Sequence, residues 1–508
     1  MTSQTAPPTD TQDLSNYLAL SCAKHLDRLA LSDSQARMTY SQLHAAVQEA
    51  AQLIHGSTAV NDGPVLVLMD NSIDSLVRLF AVWRSGRCAV PLDASVPAPV
   101  VISAVDRTGA AAVSLGEIEH SRDDLRGLGE AVPGGLRMLS APDGERDPLL
   151  SGAALVIFTS GSTGIPKGVV LGHTGILAKL AMVQEALAYQ PGDQALAVLR
   201  TSFLFCQWDI LLTLGTGGSV RLLDKFTPSR LCEALANEPV SRVAVVPTML
   251  RQILPLLENQ SVRDPLVRTR SPQQVVVGGE LLPPQTGDRY RTLLPHSGIS
   301  IIYGLTETSA PDFVLPAADY DAHPDTVGRA LSGVRWYVDA PDRAAAVGDC
   351  GVLAVSSAGV LRGYLGQPEL TRAAVEDGFF RTGDQVEVRK GGRISVLGRG
   401  TAVVVKGANK IAPAEVEAVL EQHPQVVDAF SCGVPDPLLG ERLCAVVAPT
   451  PGDEPTPEEL IRWMFERVER YKVPDVLYVR ESLPTGSTGK IDRAELSSWV
   501  LQQTRTAS

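Results

Sequence analysis

The chain has 508 residues, a net charge of −12, and a composition that is 44% hydrophobic and 20% charged, as expected of a globular protein with more than one domain. The acidic balance argues against nucleic acid as a partner, because neutralising phosphates requires a basic surface. No apolar run approaches the roughly 20 residues that cross a bilayer, and the first dozen residues do not resemble a signal peptide, so we expect a cytoplasmic protein without a membrane partner.

The cysteines and histidines give little sign of metal or disulfide chemistry. The seven cysteines are widely spaced and include no C-x2-C pair, which argues against a disulfide framework and a structural zinc site. The eight histidines lack the spacing of metal ligands. We therefore expect reduced thiols, and any metal should be a hard cation that arrives with a phosphate substrate.

The first four-fifths of the chain alternates between two periodicities. Residues 1–12 are predicted to be a disordered tail, and apolar residues at helical spacing follow in Leu14–Leu29 and Tyr40–Leu53. Strand-like runs then alternate with helical stretches, which predicts βαβ units and parallel sheets covered by helices. The predicted strands are Val65–Met69, Leu155–Phe158, Ala195–Leu199, Val220–Leu223, Val243–Val246, Val275–Val277 and Ile299–Tyr303; the predicted helices are Ser75–Trp83, Leu177–Leu187, Arg230–Leu235 and Thr248–Leu257.

The pattern changes near Arg335 and again near Gly398. Short strands with glycine turns predict a small β-barrel-like subdomain, and the last 110 or so residues predict a compact α+β unit. The predicted fold is therefore α/β: a large N-terminal core over 13–397, with mainly parallel sheets flanked by helices plus the barrel-like subdomain, and a small mobile α+β C-terminal domain over 398–508.

Two loops carry small hydroxyl and glycine residues followed by a lysine. The first follows the apolar run at Leu155 and ends in Pro166, Lys167 and Gly168; the second runs from Pro484 to Lys490. Free backbone N–H groups, hydroxyls and an ammonium form an anion cradle, although the order of a Walker loop is absent. Two such loops, one in each domain, predict a polyanion held at the domain junction.

An ordered set of motifs resembles the class I adenylate-forming (ANL) superfamily, which includes peptide-synthetase adenylation domains, acyl-CoA synthetases and luciferases. Each motif alone is weak, but the set is specific when it occurs in this order. The motifs are the first loop with Lys167; Gly278, Gly279 and Glu280; Tyr303, Gly304, Leu305, Thr306 and Glu307; Arg381, Thr382, Gly383 and Asp384; Gly398 and Arg399; and Gly489 and Lys490.

Further stretches resemble peptide-synthetase adenylation domains more than CoA ligases. They are Met38 to Leu43, Ala89 to Asp93 and Lys490 to Arg493, whereas Leu305 is common among CoA ligases. The resemblance favours a standalone adenylation domain that loads a separate phosphopantetheinylated carrier protein in trans, in natural-product biosynthesis. CoA is the alternative acceptor.

The resemblance implies that a carboxylic acid attacks the α-phosphate of ATP, with Mg²⁺ as cofactor, releasing pyrophosphate and forming an acyl adenylate. Lys490, Thr306 and Glu307 would be catalytic, with Glu307 as the Mg²⁺ ligand. A compact ammonium at Lys490 would offset the repulsion between the two anions. The implied ATP-binding residues are Thr159, Ser160, Gly161, Ser162, Thr163, Gly164, Lys167, Gly279, Glu280, Tyr303, Gly304, Asp384 and Arg399.

The same resemblance implies a small domain that rotates about a hinge after adenylation. The pivot residue is usually Asp or Lys after Gly-Arg-x, whereas here Gly400 is followed by Thr401. Gly400 supplies backbone freedom, so we expect the hinge at Gly400 and Thr401 without the usual pivot side chain.

The substrate pocket lacks the acid that usually binds an α-amino group. Leu204 stands at that position, and burying an unpaired ammonium costs several kcal/mol. An apolar aryl or acyl acid is therefore favoured; the alternative is a β-amino or unusual amino acid whose amine reaches Asp209 or Asp312. The predicted pocket residues are Leu204, Phe205, Trp208, Val276, Gly278, Ile302, Ala310 and Pro311.

Overall fold

The computed structural model describes most of the chain. The described residues are 13–57, 61–140, 145–159, 166–339, 345–399, 404–406, 409–411, 413–436, 440–468, 470–486 and 490–506. The predicted tail over 1–12 lies outside them. Among the described residues, no helix is both long and apolar enough to cross a membrane.

The helical stretches predicted in the large core are helices in the structure, with one correction at the start of the chain. The first helix ends at Lys24, not Leu29, because the next residues form a strand pair instead. The helices are α1 Leu14–Lys24, α2 Tyr40–Ser57, α3 Ile73–Arg84, α4 Ala98–Thr108, α5 His173–Leu187, α6 Leu204–Thr216, α7 Pro228–Asn237, α8 Pro247–Glu258, α9 Gln260–Thr269, α10 Pro284–Leu293, α11 Pro368–Ala374, α12 Pro413–Leu420, α13 Pro457–Phe465 and α14 Arg493–Thr506.

The strands belong to three sheets. They are β1 Leu29–Ser32, β2 Arg37–Thr39, β3 Val65–Met69, β4 Ala89–Asp93, β5 Ala112–Ser114, β6 Glu130–Val132, β7 Leu136–Met138, β8 Ala153–Thr159, β9 Lys167–Gly172, β10 Gln194–Ala197, β11 Ser219–Leu222, β12 Arg242–Val245, β13 Gln274–Val277, β14 Gly298–Tyr303, β15 Phe313–Leu315, β16 Arg329–Ala330, β17 Arg335–Val338, β18 Cys350–Ser356, β19 Gly363–Tyr364, β20 Val375–Glu376, β21 Phe379–Arg389, β22 Arg393–Arg399, β23 Val404–Lys406, β24 Asn409–Ile411, β25 Val426–Asp436, β26 Gly440–Pro449 and β27 Val476–Val479.

The first sheet has a parallel centre. Strands β1, β11, β10, β12, β13 and β14 run parallel to one another in that order. Their apolar residues are buried on both faces, which is typical of parallel sheets covered by helices. The carboxyl ends of β13 and β14 therefore lie side by side, at the edge where such sheets place ligands.

The short strands after Arg335 extend this same sheet. Strand β15 pairs antiparallel with β14, and the order then continues through β16, β22, β21, β18 and β17, all antiparallel. The glycine-rich meander predicted as a barrel-like subdomain is thus continuous with the large sheet. In this order, β15, β16 and β22 lie between β14 and β21.

The second sheet contains the first lysine loop. Its order is β19, β9, β8, β4, β3, β5, β7 and β6, with β3, β4, β5 and β8 parallel. Strands β8 and β9 form an antiparallel pair in which Thr159 lies opposite Lys167. The residues that flank the loop on its two sides are therefore paired with each other in the β8–β9 ladder.

The third sheet belongs to the C-terminal part of the chain. It contains β23 to β27 and packs two hydrophobic clusters, one on α12 and α13 and the other on α14. Both clusters consist only of residues from Val404 onward. A unit with its own core agrees with the predicted α+β domain, while its boundary at 398 stays a prediction.

Candidate active site

Lys490 reaches from the C-terminal unit to the large sheet. Its ammonium donates a hydrogen bond to the carbonyl of Gly279, which follows β13. Gly279 has φ +85°, and a Cβ there would lie 3.2 Å from the Lys490 Cε and Nζ atoms. Glycine is therefore needed at this position both for the left-handed backbone and for the approach of the lysine.

Glu307 and Lys167 are joined through Tyr364, which lies outside every sequence motif. The Tyr364 hydroxyl donates to Glu307 Oε1 at 3.0 Å, and the Lys167 ammonium lies 5.5 Å from the centroid of the Tyr364 ring. Strand β19 carries Tyr364 and pairs with β9, with Tyr364 opposite Val169. The lysine, the tyrosine and the carboxylate thus form one connected group.

Tyr303, the last residue of β14, contacts Asp384 of β21 through its side chain. The Tyr303 hydroxyl donates to Asp384 Oδ2 at 2.6 Å. Burial raises the pKa of Tyr303 well above its usual value, and the nearby Asp384 charge raises it further, so the phenol stays protonated and keeps donating. The bond fixes the tyrosine ring, which also packs edge-on against Phe313, with centroids 6.1 Å apart.

The predicted pocket residues lie at the carboxyl ends of neighbouring strands and at the start of α6. Val276 is the penultimate residue of β13, Gly278 directly follows this strand, and Ile302 lies on the neighbouring β14. A Cβ on Gly278 would overlap the Ile302 side chain, and one on Gly304 would lie 2.8 Å from the Pro311 Cα. These glycines allow close packing under the turn that contains Ala310 and Pro311.

Helix α6 contributes the other pocket residues on its first two turns. Leu204 is buried, and Phe205 stacks on Trp208 with centroids 5.3 Å apart. The buried Trp208 Nε1, Gln207 Oε1 and Ser202 Oγ atoms have no hydrogen-bond partner among the described residues. The side chains at the start of α6 are therefore mainly apolar, but buried polar atoms beside them lack a hydrogen-bond partner among the described residues.

The two acids considered as partners for an amine are already engaged. Asp312 forms a buried ion pair with Lys179, whose ammonium also donates to the Pro311 carbonyl at 3.1 Å. Asp209 accepts a hydrogen bond of 2.5 Å from the Tyr189 hydroxyl. Burial raises the pKa of Asp209 to about 6, although that hydrogen bond and Arg242 act in the opposite direction.

Several predicted residues cannot be placed. Ser160, Gly161, Ser162, Thr163 and Gly164 of the first loop lie outside the described residues, as do Gly400 and Thr401 of the hinge. Arg399 is described only as backbone, where it pairs with Asp384 across β21 and β22. Thr159 and Thr306 are half-buried, at the end of β8 and in the short 3₁₀ turn after β14 respectively.

A cluster of metal-binding side chains is absent from the described residues, where no group of three or more His, Cys, Asp or Glu could hold an ion. Each of the seven cysteines is a free thiol, and five are buried.

Two family models match the chain. The model described as AMP-binding enzyme covers residues 18–365, and the model of the AMP-binding enzyme C-terminal domain covers residues 415–490. The chain belongs to the AMP-binding enzyme family. The resemblance to the ANL superfamily is confirmed, and this AMP-binding enzyme is an AMP-forming ligase.

Curated relatives of the AMP-binding enzyme come from both branches of the superfamily. A feruloyl-CoA synthase from an Amycolatopsis species is 30% identical over 484 residues, covering 90% of this chain and 93% of that protein. A plipastatin synthase from Bacillus subtilis is 31% identical over 492 residues, covering 92% of this chain and 18% of that protein. Sequence identity therefore does not separate the CoA-ligase branch from the peptide-synthetase branch.

Solved structures share the fold over nearly the whole chain. The amide bond synthetase McbA from Marinactinospora thermotolerans has a TM-score of 0.83 at 25% identity, covering 96% of this chain and 99% of that one. The anthranilate CoA ligase AuaEII has a TM-score of 0.85 at 19% identity, covering 97% and 98%. The predicted α/β fold with a small C-terminal unit is confirmed.

Sequence reasoning missed Tyr364, Lys179 and Arg251. Tyr364 occurs in a two-residue strand without periodicity, and Lys179 lies 133 residues before its partner Asp312. Arg251 lies in an amphipathic helix, where an arginine usually indicates a solvated face. For Lys179 the sequence does contain a signal, because this lysine interrupts an otherwise apolar stretch of α5.

Proposed function

We propose that this enzyme activates a carboxylic acid as its acyl adenylate at the expense of ATP and transfers the acyl group to a phosphopantetheine thiol. The observation that carries the proposal is the contact of Lys490 with the Gly279 carbonyl. It places an ammonium from the C-terminal unit at the sheet edge that also holds Tyr303 and Asp384. A positive charge at that edge is suited to the meeting of a carboxylate and a phosphate.

The chain's own groups would divide the work as follows. Lys490 would hold the acid carboxylate against the α-phosphate, and Lys167 and Thr159 would bind the departing pyrophosphate. Asp384 would accept the ribose hydroxyls, with Tyr303 fixed beside it to stack on adenine. Reactions of this kind depend mainly on positioning and on neutralising charge.

Glu307 fits the role of a magnesium ligand. The Tyr364 hydroxyl engages Oε1 and so fixes the carboxylate, and hard cations prefer carboxylate oxygen. When bound, Mg²⁺ would neutralise phosphate charge. Tyr364 would orient the carboxylate, and Thr306 would contribute a neighbouring hydroxyl.

The acid is proposed to be an aryl or acyl acid without an α-amino group. Leu204 offers no partner to an ammonium, and Asp209 and Asp312 are held by Tyr189 and Lys179. These engagements weigh against the alternative of a β-amino or unusual amino acid. The Trp208 Nε1 and Gln207 Oε1 atoms, unpartnered among the described residues, favour an acid with a polar substituent, such as a ring hydroxyl.

The thiol acceptor is proposed to be a carrier protein, on the strength of the peptide-synthetase-like stretches at Met38, Ala89 and Lys490. CoA is the second candidate, which the feruloyl-CoA synthase relative favours. A cytoplasmic location, natural-product biosynthesis and the hinge at Gly400 and Thr401 remain predictions.

ATP–pyrophosphate exchange tests the first step. The panel should contain benzoate, cinnamate, ferulate, isobutyrate, β-alanine and the standard α-amino acids. Exchange is expected with the aryl or acyl acids. Exchange with α-amino acids alone would overturn the pocket argument. The best acid is then offered with CoA or with a phosphopantetheinylated carrier; a thioester with CoA alone would remove the carrier-protein proposal.

A further inference from the structure

Arg251 connects the C-terminal unit to the large sheet. It lies on α8, and its side chain is only 10% exposed. Its Nη2 atom is 2.8 Å from Asp428 Oδ1 on β25. The contact is a buried ion pair without hydrogen-bond geometry, and removing one partner of such a pair leaves an uncompensated buried charge.

The same guanidinium extends a chain of contacts to Glu280. Arg251 Nη2 donates to Thr248 Oγ1 at 3.0 Å, and Thr248 Oγ1 donates to Glu280 Oε2 at 3.2 Å. Glu280 immediately follows Gly279, whose carbonyl accepts the Lys490 ammonium. Arg251 therefore connects the C-terminal unit, which carries Lys490, to the Gly279–Glu280 segment that Lys490 contacts.

Several acids surround this arginine. Burial raises the pKa of Glu421 to about 8, although Arg251 opposes the change. Burial also raises the pKa of Glu280, and Arg251 and Lys490 oppose it. With Asp428, these groups come from both units, so the guanidinium lies between acidic side chains of the large sheet and of the C-terminal unit.

We propose that Arg251 is a positioning residue: by binding Asp428 on one side and Thr248 and Glu280 on the other, it holds Lys490 at Gly279 for adenylate formation. The proposal rests on the proposed function, in which Lys490 acts in the first step. Arg251 itself is assigned no contact with ATP or the acid. Replacing Arg251 should therefore change the position of Lys490 and the rate of adenylate formation. The rate of acyl transfer to the thiol should not change.

The direct test measures the reactivity of Lys490 in the full-length protein. Wild type, Arg251→Gln, Arg251→Lys and Asp428→Ala are treated briefly with acetic anhydride, and lysine acetylation is quantified by mass spectrometry. Lys490 acetylation is expected to rise several-fold in Arg251→Gln and Asp428→Ala, with Arg251→Lys between them and wild type. Lys472, paired locally with Glu415 at 2.9 Å, is the internal reference and should not change.

The kinetic test separates the two steps with the best acid of the exchange panel. Arg251→Gln is expected to lower the maximal rate of pyrophosphate exchange about 10- to 100-fold, because small misplacements of a reacting group have effects of that size. Reaction of chemically supplied acyl adenylate with the thiol should change less than about 3-fold. Arg289→Gln, which removes an exposed arginine paired with Glu258 at the end of α8, is the matched control.

Two outcomes would overturn the proposal. One is unchanged Lys490 acetylation and exchange in folded Arg251→Gln and Asp428→Ala proteins, as judged by thermal unfolding. The other is an equal loss of both steps. Failure of the proposed function gives a different result. In that case no acid supports pyrophosphate exchange in the wild type, while acetylation still reports the accessibility of Lys490.

Discussion

Lys490 is the side chain on which the proposed chemistry depends most. Replacing it with alanine removes the ammonium that meets Gly279 and leaves the packing of the C-terminal core unchanged. We expect Lys490→Ala to lower pyrophosphate exchange by at least about 100-fold, the scale typical of losing one group that stabilises developing charge. The melting temperature should stay close to that of the wild type.

Lys472→Ala is the matched control, because this lysine lies in the same unit but pairs with Glu415. It should retain exchange. Exchange at the wild-type rate in Lys490→Ala would refute the role assigned to this lysine.

Tyr364 is expected to act through Glu307. Tyr364→Phe keeps the ring that faces Lys167 and removes only the hydroxyl that orients the carboxylate. We expect the Mg²⁺ concentration for half-maximal exchange to rise about 10- to 100-fold, corresponding to the loss of one hydrogen bond to a charged group, which contributes about 1.5–3 kcal/mol. A Mg²⁺ titration of exchange measures this, and binding of Mn²⁺ with ATP by electron paramagnetic resonance gives a readout without turnover.

Tyr320→Phe provides the comparison. Its buried hydroxyl has no hydrogen-bond partner among the described residues, so its removal should leave the Mg²⁺ requirement unchanged. An equal shift in both variants would show that the effect comes from packing and not from Glu307.

Helix α6 carries a carboxyl group whose protonation is linked to folding. Because burial raises the pKa of Asp209 to about 6, the folded state binds a proton that the unfolded state has released between about pH 4 and pH 6. Stability from this residue is therefore lost as pH rises through that window. A shift of this size corresponds to about 3 kcal/mol.

Asp209→Asn keeps an oxygen for the Tyr189 hydroxyl and removes the titration. Its melting temperature relative to the wild type should increase between pH 4 and pH 6 and then level off. Thermal unfolding across this range measures the difference, with the exposed Asp321→Asn as control. A flat difference would mean that Asp209 does not titrate in this window.

The elements themselves were largely predictable from local pattern. Val65–Met69 has the predicted bounds, because five apolar residues ending at a polar turn leave little alternative. Leu29, the first residue of β1, is predicted as helical but pairs with Thr39 of β2, and the other partner of β1 is β11, nearly 190 residues further along the chain. Strand β19 is not predicted, because it has two residues and its partner β9 lies far earlier in the chain.

At the scale of the whole molecule, the C-terminal unit has a core of its own. Both of its hydrophobic clusters contain only residues from Val404 onward, and units of about 100 residues commonly fold alone. We therefore predict that a fragment of residues 398–508 unfolds cooperatively by circular dichroism. A fragment without a cooperative transition would contradict the predicted boundary at 398.

The candidate site was predicted in part because its motifs sit on the ends of predicted strands. Tyr303 and Asp384 could be assigned to one site only through the resemblance, since neither motif shows that the two side chains meet. The contact of Arg251 with Asp428 was beyond reach, because it depends on how two units with separate cores meet. Local sequence specifies each unit, whereas the contact requires the assembled surface.

The register of β8 and β9 has a consequence for engineering the first loop. Thr159 faces Lys167 across an antiparallel ladder, and Lys167 lies over a tyrosine from the next strand. The lysine is thus positioned by the sheet and not by the start of a helix. Grafting a different loop sequence between these two residues should change the proposed phosphate contacts of the loop and leave the position of Lys167 unchanged. The loop and its lysine can therefore be redesigned separately.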